Sequence, residues 1–213
     1  MTLKNGVVKN NEFEEYREVL QSEISVGLFK YEIWWKFKND ILTGSKAFQY
    51  AEGFYDITSK SLIDSVMWHL SKVIDYHNDS MSICKLLNYL ESNCTKIFPA
   101  EIQGNIIAHI KEDRILLSNN KETIKNIYGY RDKYLAHPDK TIKGEQQLAI
   151  KQFPVTLGEI KSVFEMCLKM INRYSGEYDR SLFDAKIDER DYSNFKECVE
   201  KGYNAIMQIP RTP

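Results

Sequence analysis

Residues 131–137, RDKYLAH, hold two side chains that suit phosphodiester chemistry, Arg131 at the first position and His137 at the last. Arginine is a permanent cation, and its planar guanidinium can bind a phosphate through two parallel hydrogen bonds. Histidine can take up and release a proton near neutral pH, because unperturbed imidazole titrates in that range. Together the two side chains suit cleavage of a phosphodiester without a metal ion.

An amphipathic helix over residues 121–137 must position this pair. Asn119 and Glu122, three residues apart, form a capping pair that opens the helix. Its apolar side chains recur at the spacing of one buried helix face, at Ile124, Ile127, Tyr128 and Leu135. Arg131 therefore falls in the middle of this apolar face.

The position of Arg131 needs an explanation, because an unpaired guanidinium is costly to bury. Two explanations are open: a structural salt bridge to a carboxylate on another helix, or a site that faces a cleft or a partner subunit.

Pro138 disfavours helical backbone at His137, so the helix ends at about that residue. Six residues of an ideal helix turn about 240°, which leaves His137 away from the Arg131 face. The pair converges only if the last turn unwinds or if two copies meet across a two-fold axis, which predicts a dimer-interface site.

Residues 131–137, late on a helix, resemble the Arg-x(4–6)-His signature of the HEPN superfamily of small all-α domains. Residues 61–75 are similar to the long first core helix of the abortive-infection branch of that superfamily, and residues 82–87 continue the likeness. The resemblance extends from about Phe54 to Tyr174, more than half of the chain. It implies a HEPN-like helical bundle that forms a homodimer.

Membership would imply a metal-independent endoribonuclease without a cofactor, often the toxin of a phage-defence or toxin–antitoxin locus. RNA is the expected substrate, because its 2′-hydroxyl supplies a nucleophile that DNA lacks. A cognate antitoxin or a nucleotidyltransferase is an expected partner. Some relatives carry a tyrosine, two residues after the histidine, that the nucleotidyltransferase modifies. Asp139 takes that position here, which argues against this mode of silencing.

The resemblance also implies roles for individual charged and titratable residues of the segment 131–137 and for Lys140. His137 would act as general base or acid, and Arg131 would stabilise charge that develops on the phosphate oxygens. Asp132 would orient a catalytic group or hold the turn, or it is a solvated surface acid. Lys133 and Lys140 would contact flanking phosphates of the RNA.

The alternative function is a non-catalytic HEPN-type helical module that binds a partner protein or RNA as a regulator or antitoxin. In that case Arg131 forms an interface salt bridge and His137 only ends a helix. The sequence leaves both functions open, because the two predict the same fold.

Composition narrows the class of protein. A net charge of −1 over 213 residues gives no overall nucleic-acid signal. Residues 121–151 carry seven Lys or Arg against four Asp or Glu, which suits either a phosphate-binding surface or a solvated one. The four cysteines form no Cys-x-x-Cys pair, so we expect reduced thiols, no zinc site and a cytoplasmic location. No signal peptide or membrane-spanning stretch is evident, and no membrane partner is expected.

The remaining periodicity predicts three regions within one compact domain. Residues 1–49 are an N-terminal helical extension with a long helix over 11–41, residues 50–175 are the HEPN-like core, and residues 176–213 hold a C-terminal amphipathic helix and tail. Residues 139–154 are expected to be a polar connection. His69 lies on an apolar helix face and is either a hydrogen-bonded core or interface residue or a catalytic one.

Overall fold

Helices make up nearly all of the secondary structure of the protein. The computed structural model describes residues 3–4, 7–8, 10–77, 79–137, 140–142, 145–185 and 188–208. The elements are β1 (Leu3–Lys4), β2 (Val7–Val8), α1 (Asn11–Leu42), α2 (Lys46–Tyr50), α3 (Glu52–Val73), α4 (Ile83–Ile97), α5 (Ala100–Asn119), α6 (Lys121–Tyr130), a π-helical turn (Arg131–Ala136), α7 (Gln146–Gln152), α8 (Leu157–Asp179) and α9 (Glu189–Met207). β1 and β2 pair antiparallel. The predicted all-α class is confirmed, with the long N-terminal helix and the C-terminal helix in place.

The main core is one cluster of buried apolar side chains from α1, α3, α4, α5, α6 and α8. Helices of this core approach one another closely at Gly27 of α1. A Cβ there would overlap the ring of Phe164 on α8 and lie 3.2 Å from Cβ of His69 on α3. Glycine at this position therefore lets α1 pack tightly against both α8 and α3.

A second, smaller cluster joins the far end of α1 to the C-terminal helix. Phe37, Phe48 and Tyr55 form its buried centre, and Tyr192 and Val199 of α9 pack against them. The Tyr192 hydroxyl and the Lys196 ammonium both reach the Asp40 carboxylate, each at 2.6 Å. The terminal amphipathic helix thus packs against α1 of its own chain.

The starts of α4 and α6 are formed differently. α4 begins after Ser82, whose hydroxyl accepts the Lys85 N–H. The predicted pairing of Asn119 with Glu122 at the start of α6 is wrong. Asn120 is the N-cap, and its amide instead donates to the Leu116 carbonyl at the end of α5.

The stretch predicted as a polar connection contains a helix of its own. α7 lies within residues 139–154, and its Ala149 is fully buried, as is Ile142 before it. Burial of these two apolar side chains in the main core stabilises a helix of only seven residues, which is too short to be stable alone. A capping box of Thr156 with Glu159 opens α8.

Candidate functional site

The candidate site begins where α6 packs on the C-terminal end of α3 and is hydrogen-bonded to it. Ile124 and Ile127 of α6 are buried in the main core. The Tyr128 hydroxyl donates a hydrogen bond to the Ile74 carbonyl at the C-terminus of α3. This bond satisfies one of the carbonyls that a helix end leaves without an internal partner. α6 therefore holds a fixed position on α3 before the site starts.

The last turn of the helix is wider than an α-helical turn. Residues Arg131–Ala136 are π-helical, and the His137 N–H donates to the Asp132 carbonyl at 3.1 Å, five residues back. π-helical turns are rare and are frequent at functional sites. The wider turn occupies most of the Arg-x(4–6)-His segment.

Arg131 is largely buried, with 13% of its side chain exposed, and lies between two carboxylates and a ring. Its Nε donates to Asp132 at 2.7 Å and its Nη1 to Asp75 at 3.1 Å. Its Cζ lies 4.9 Å from the centre of the Tyr128 ring. Nη2 makes no hydrogen bond to any residue within the described ranges. A structural salt bridge is thus present, and one edge of the guanidinium remains for another ligand.

The charges around Arg131 keep it cationic. Burial alone would lower its pKa, but Asp132 and Asp75 outweigh burial and raise the pKa of Arg131. The pKa of Tyr128 is raised by burial and by the negative charge of Asp75, so its phenol stays neutral. The site therefore presents a permanent cation beside a neutral aromatic ring.

Asp75 is itself held from several sides. Its Oδ1 accepts the His77 N–H at 3.1 Å, and its backbone carbonyl accepts the hydroxyl of the buried Ser82. Only 15% of the Asp75 side chain is exposed. Because these hydrogen bonds hold Asp75 in place, its carboxylate fixes the Nη1 edge of Arg131 in one orientation.

The Asp64 carboxylate, on α3, holds the π-helical turn in place. Asp64 accepts hydrogen bonds from the hydroxyls of Tyr130 at 2.6 Å and Tyr134 at 3.3 Å, and from the Gln146 amide at 2.8 Å. The two tyrosine rings meet edge to face with 5.1 Å between centres. The turn that carries Arg131 is therefore hydrogen-bonded to Asp64 of α3 and to Asp75 just after α3.

His137 lies at the other end of this turn. Its backbone leaves the helix, with φ −136° and ψ 87°, and its side chain is exposed. Its imidazole has no hydrogen-bond partner, Arg131 included, in the part of the chain that the structure describes. Lys133 and Lys140 are also exposed. Asp139, at the position where the resemblance implies a tyrosine in some relatives, lies outside the described residues.

Comparison with known proteins decides the family. The model of the family HEPN_AbiU2, described as AbiU2, matches residues 10–198. This chain belongs to that family. Membership places this HEPN_AbiU2 protein in the HEPN superfamily, abortive-infection type, as the sequence resemblance predicted. No curated protein and no solved structure matches the chain significantly. The match includes α1, which the sequence analysis set apart from the core.

The sequence analysis missed three residues of the candidate site in this HEPN_AbiU2 protein. Asp64 lies within α3, and Asp75 follows the end of that helix by two residues, eleven residues after Asp64. Tyr128 precedes Arg131 by three residues, the spacing of neighbours on a helix surface. These spacings were visible in the sequence, but nothing in it indicated that α3 meets the helix of Arg131.

His69 of this HEPN_AbiU2 protein is hydrogen-bonded through both ring nitrogens. Nδ1 lies 2.6 Å from Glu23 Oε2, and Nε2 lies 3.0 Å from Lys30 Nζ. Because an ammonium can only donate, Nε2 accepts from Lys30 and Nδ1–H donates to Glu23. Lys72 adds a second hydrogen bond to Glu23 at 2.9 Å. His69 thus links α1 to α3.

This link predicts a pH-dependent contribution to stability. Burial favours the protonated carboxyl, but the hydrogen bonds from His69 and Lys72 outweigh it and lower the pKa of Glu23 below its ordinary 4.5. A lowered pKa means that the carboxylate stabilises the fold above pH 4.5, and that this contribution disappears as the pH falls through the folded-state pKa. Glu23→Gln should therefore reduce the free energy of unfolding at pH 7 by about 1–2 kcal/mol, with a smaller loss below pH 4.5.

Urea unfolding followed by circular dichroism between pH 3 and pH 8 measures this difference. Glu18→Gln, at an exposed carboxylate on the same helix, is the matched control and should change stability little at any pH. A loss for Glu23→Gln that stays the same down to pH 3 would contradict the role given to its carboxylate.

No group of three His, Cys, Asp or Glu side chains within the described ranges is arranged to hold a metal ion. No helix of these ranges has the length and apolarity that crossing a membrane requires.

Proposed function

We propose that this protein is a metal-independent endoribonuclease of a phage-defence or toxin–antitoxin system, which cleaves RNA with Arg131 and His137. The observation that supports the proposal best is the fixed orientation of Arg131 at the start of a π-helical turn that ends in the exposed His137. A cation that is already oriented stabilises developing negative charge without reorganisation during the reaction.

The chemistry is an internal transesterification. The 2′-oxygen of the RNA attacks the adjacent phosphorus, the bond from phosphorus to the 5′-oxygen breaks, and a 2′,3′-cyclic phosphate and a 5′-hydroxyl form. His137 takes the proton of the 2′-hydroxyl or gives a proton to the leaving 5′-oxygen. The Nη2 edge of Arg131 donates to a non-bridging phosphate oxygen. Asp132 acts as a positioning residue, because its carboxylate holds Nε of Arg131 and its carbonyl holds the His137 N–H.

A homodimer would complete this chemistry. The reaction uses a base and an acid, whereas each chain supplies one His137. Two chains that meet at their π-helical turns supply two imidazoles, one for each role. Light scattering at micromolar concentration tests this part of the proposal. We expect the mass of two chains, and a monomer that cleaves RNA would contradict the shared site.

The second candidate function is a non-catalytic HEPN-type module that binds a partner protein or RNA as a regulator or antitoxin. The specific observation in its favour is that Arg131 already pairs with Asp75 and Asp132 of its own chain. In this case the guanidinium stabilises the packing of α6 on α3, and His137 only ends the helix.

Incubation of labelled single-stranded RNA with the purified protein in EDTA separates the two functions. The ribonuclease is expected to cleave the RNA and to leave DNA of the same sequence intact, because DNA lacks the 2′-hydroxyl. A growth test on induced expression complements the assay. Intact RNA together with unimpaired growth would favour the non-catalytic module.

A further inference from the structure

A cleft of about 710 Å³ adjoins the Arg131 site between α4, α5 and α6. Its floor is apolar and includes Leu87, Leu117 and Ile124. Tyr76, from the segment after α3, and Tyr128 form an aromatic wall, with 5.7 Å between the ring centres. Tyr128 is also the ring against which the Arg131 guanidinium packs. The cleft and the candidate site therefore share one side chain.

The charged residues that line the described part of the cleft are all basic. Arg114, Lys121 and Lys125 line it, and no acidic residue does in the described part of the chain. Arg114 is held by Asn88 at 2.9 Å and by Glu91 at 2.6 Å. Lys125 has a long contact of 3.9 Å to Glu122, and Lys121 is exposed without an ion pair in the described ranges. The two lysines, one turn apart on α6, leave their charge available at the rim.

Tyr76 is the accessible aromatic surface of the cleft. Its side chain is 56% exposed, so its ring covers little of the core. Burial beside the Cys84 thiol raises the pKa of Tyr76 to about 12, so the ring is neutral. A neutral aromatic ring that is more than half exposed is the kind of surface on which a nucleobase stacks.

We propose that this cleft binds the nucleotide next to the cleaved phosphate of single-stranded RNA. The base packs against Tyr76 over the apolar floor, and Lys121 and Lys125 contact the backbone phosphates. Sites for single-stranded nucleic acid combine an aromatic platform with a basic groove in this way, and the volume suits a ligand of nucleotide size. The shared Tyr128 makes the bound nucleotide the neighbour of the phosphate at Arg131. The inference rests on the proposed ribonuclease function.

Binding of a labelled 2′-O-methyl RNA oligonucleotide tests the cleft without cleavage, because the methyl group blocks the nucleophile. Fluorescence anisotropy should give a Kd about tenfold weaker for Tyr76→Ala, whereas Tyr76→Phe keeps the ring and should stay within about twofold of wild type. Circular dichroism checks that each variant is folded.

The two lysines give a second measurement. The double variant Lys121→Ala, Lys125→Ala should weaken binding and reduce the slope of log Kd against log salt concentration by about 1.4, since each phosphate contact on a single strand contributes about 0.7. Lys111→Ala, on α5 and outside the cleft, is the matched control and should bind as wild type does.

The outcomes separate this inference from the proposed function. Equal RNA binding by wild type and all cleft variants overturns the cleft, even if wild type cleaves RNA. Binding that depends on Tyr76 supports the cleft, even if no RNA is cleaved and the ribonuclease proposal fails. A cleft that binds a free nucleoside monophosphate but not the oligonucleotide would overturn the proposal in favour of a small-molecule site.

Discussion

His137→Ala is expected to lower the rate of RNA cleavage about 10²–10⁴-fold, the usual effect of removing a positioned acid or base. The imidazole is exposed and makes no hydrogen bond within the described ranges, so its loss should leave the thermal unfolding temperature unchanged. Cleavage of labelled RNA in EDTA, measured at single turnover, gives the rate. A large loss of rate in a protein of unchanged stability would assign the chemistry to this side chain.

His109→Ala is the matched control for that experiment. His109 lies on α5, and its imidazole pairs with Glu112 on the same helix at 3.4 Å. This variant should cleave RNA at the wild-type rate. Equal rates for wild type and both variants would instead indicate a contaminating nuclease and contradict the role of His137.

Arg131→Ala is expected to lower the rate about 10²–10³-fold, as the loss of one donor that stabilises a developing oxyanion does in other enzymes. Arg131→Lys keeps the charge but loses the fork of donors, so its rate should be intermediate. Unlike the change at His137, both changes act on the fold. In Arg131→Ala the Asp75 carboxylate loses its ion pair and, among the described residues, keeps the His77 N–H, which should reduce the free energy of unfolding by about 1–3 kcal/mol.

A second substitution separates catalysis from stability at Arg131. Asp75→Asn removes the buried charge that Arg131→Ala leaves unpaired, so the double variant should regain stability. If Arg131 stabilises the transition state, the double variant stays as slow as Arg131→Ala. Recovery of the cleavage rate together with stability would show that Arg131 acts only through the packing of α6, as the non-catalytic module requires.

The sequence predicted those features of the site that depend on local spacing. The three- and four-residue recurrence around Ile124 and Ile127 set Arg131 on a buried face, and its side chain is 13% exposed in the structure. Pro138 predicted the end of the helix at about His137, where the backbone leaves helical geometry. Such patterns are read within a few residues and need no knowledge of the tertiary fold.

The contacts that orient Arg131 could not be predicted in this way. Asp75 is 56 residues away in the sequence, and only the packing of α6 on α3 brings it within 3.1 Å of Nη1. The π-helical turn likewise coincides with the bonds from Tyr130 and Tyr134 to Asp64, which are tertiary. The sequence left open whether Arg131 forms a structural salt bridge or faces a site. The structure shows the salt bridge and, among the described residues, an Nη2 that makes no hydrogen bond.

The chemical nature of the product ends tests the account most directly. RNA incubated with wild-type protein in EDTA, and then analysed by mass spectrometry, should give fragments that end in a 2′,3′-cyclic phosphate and begin with a 5′-hydroxyl. The same fragments should be absent or reduced about 10²–10⁴-fold with His137→Ala. Fragments with 3′-hydroxyl and 5′-phosphate ends, or cyclic phosphates formed equally by both proteins, would contradict the account.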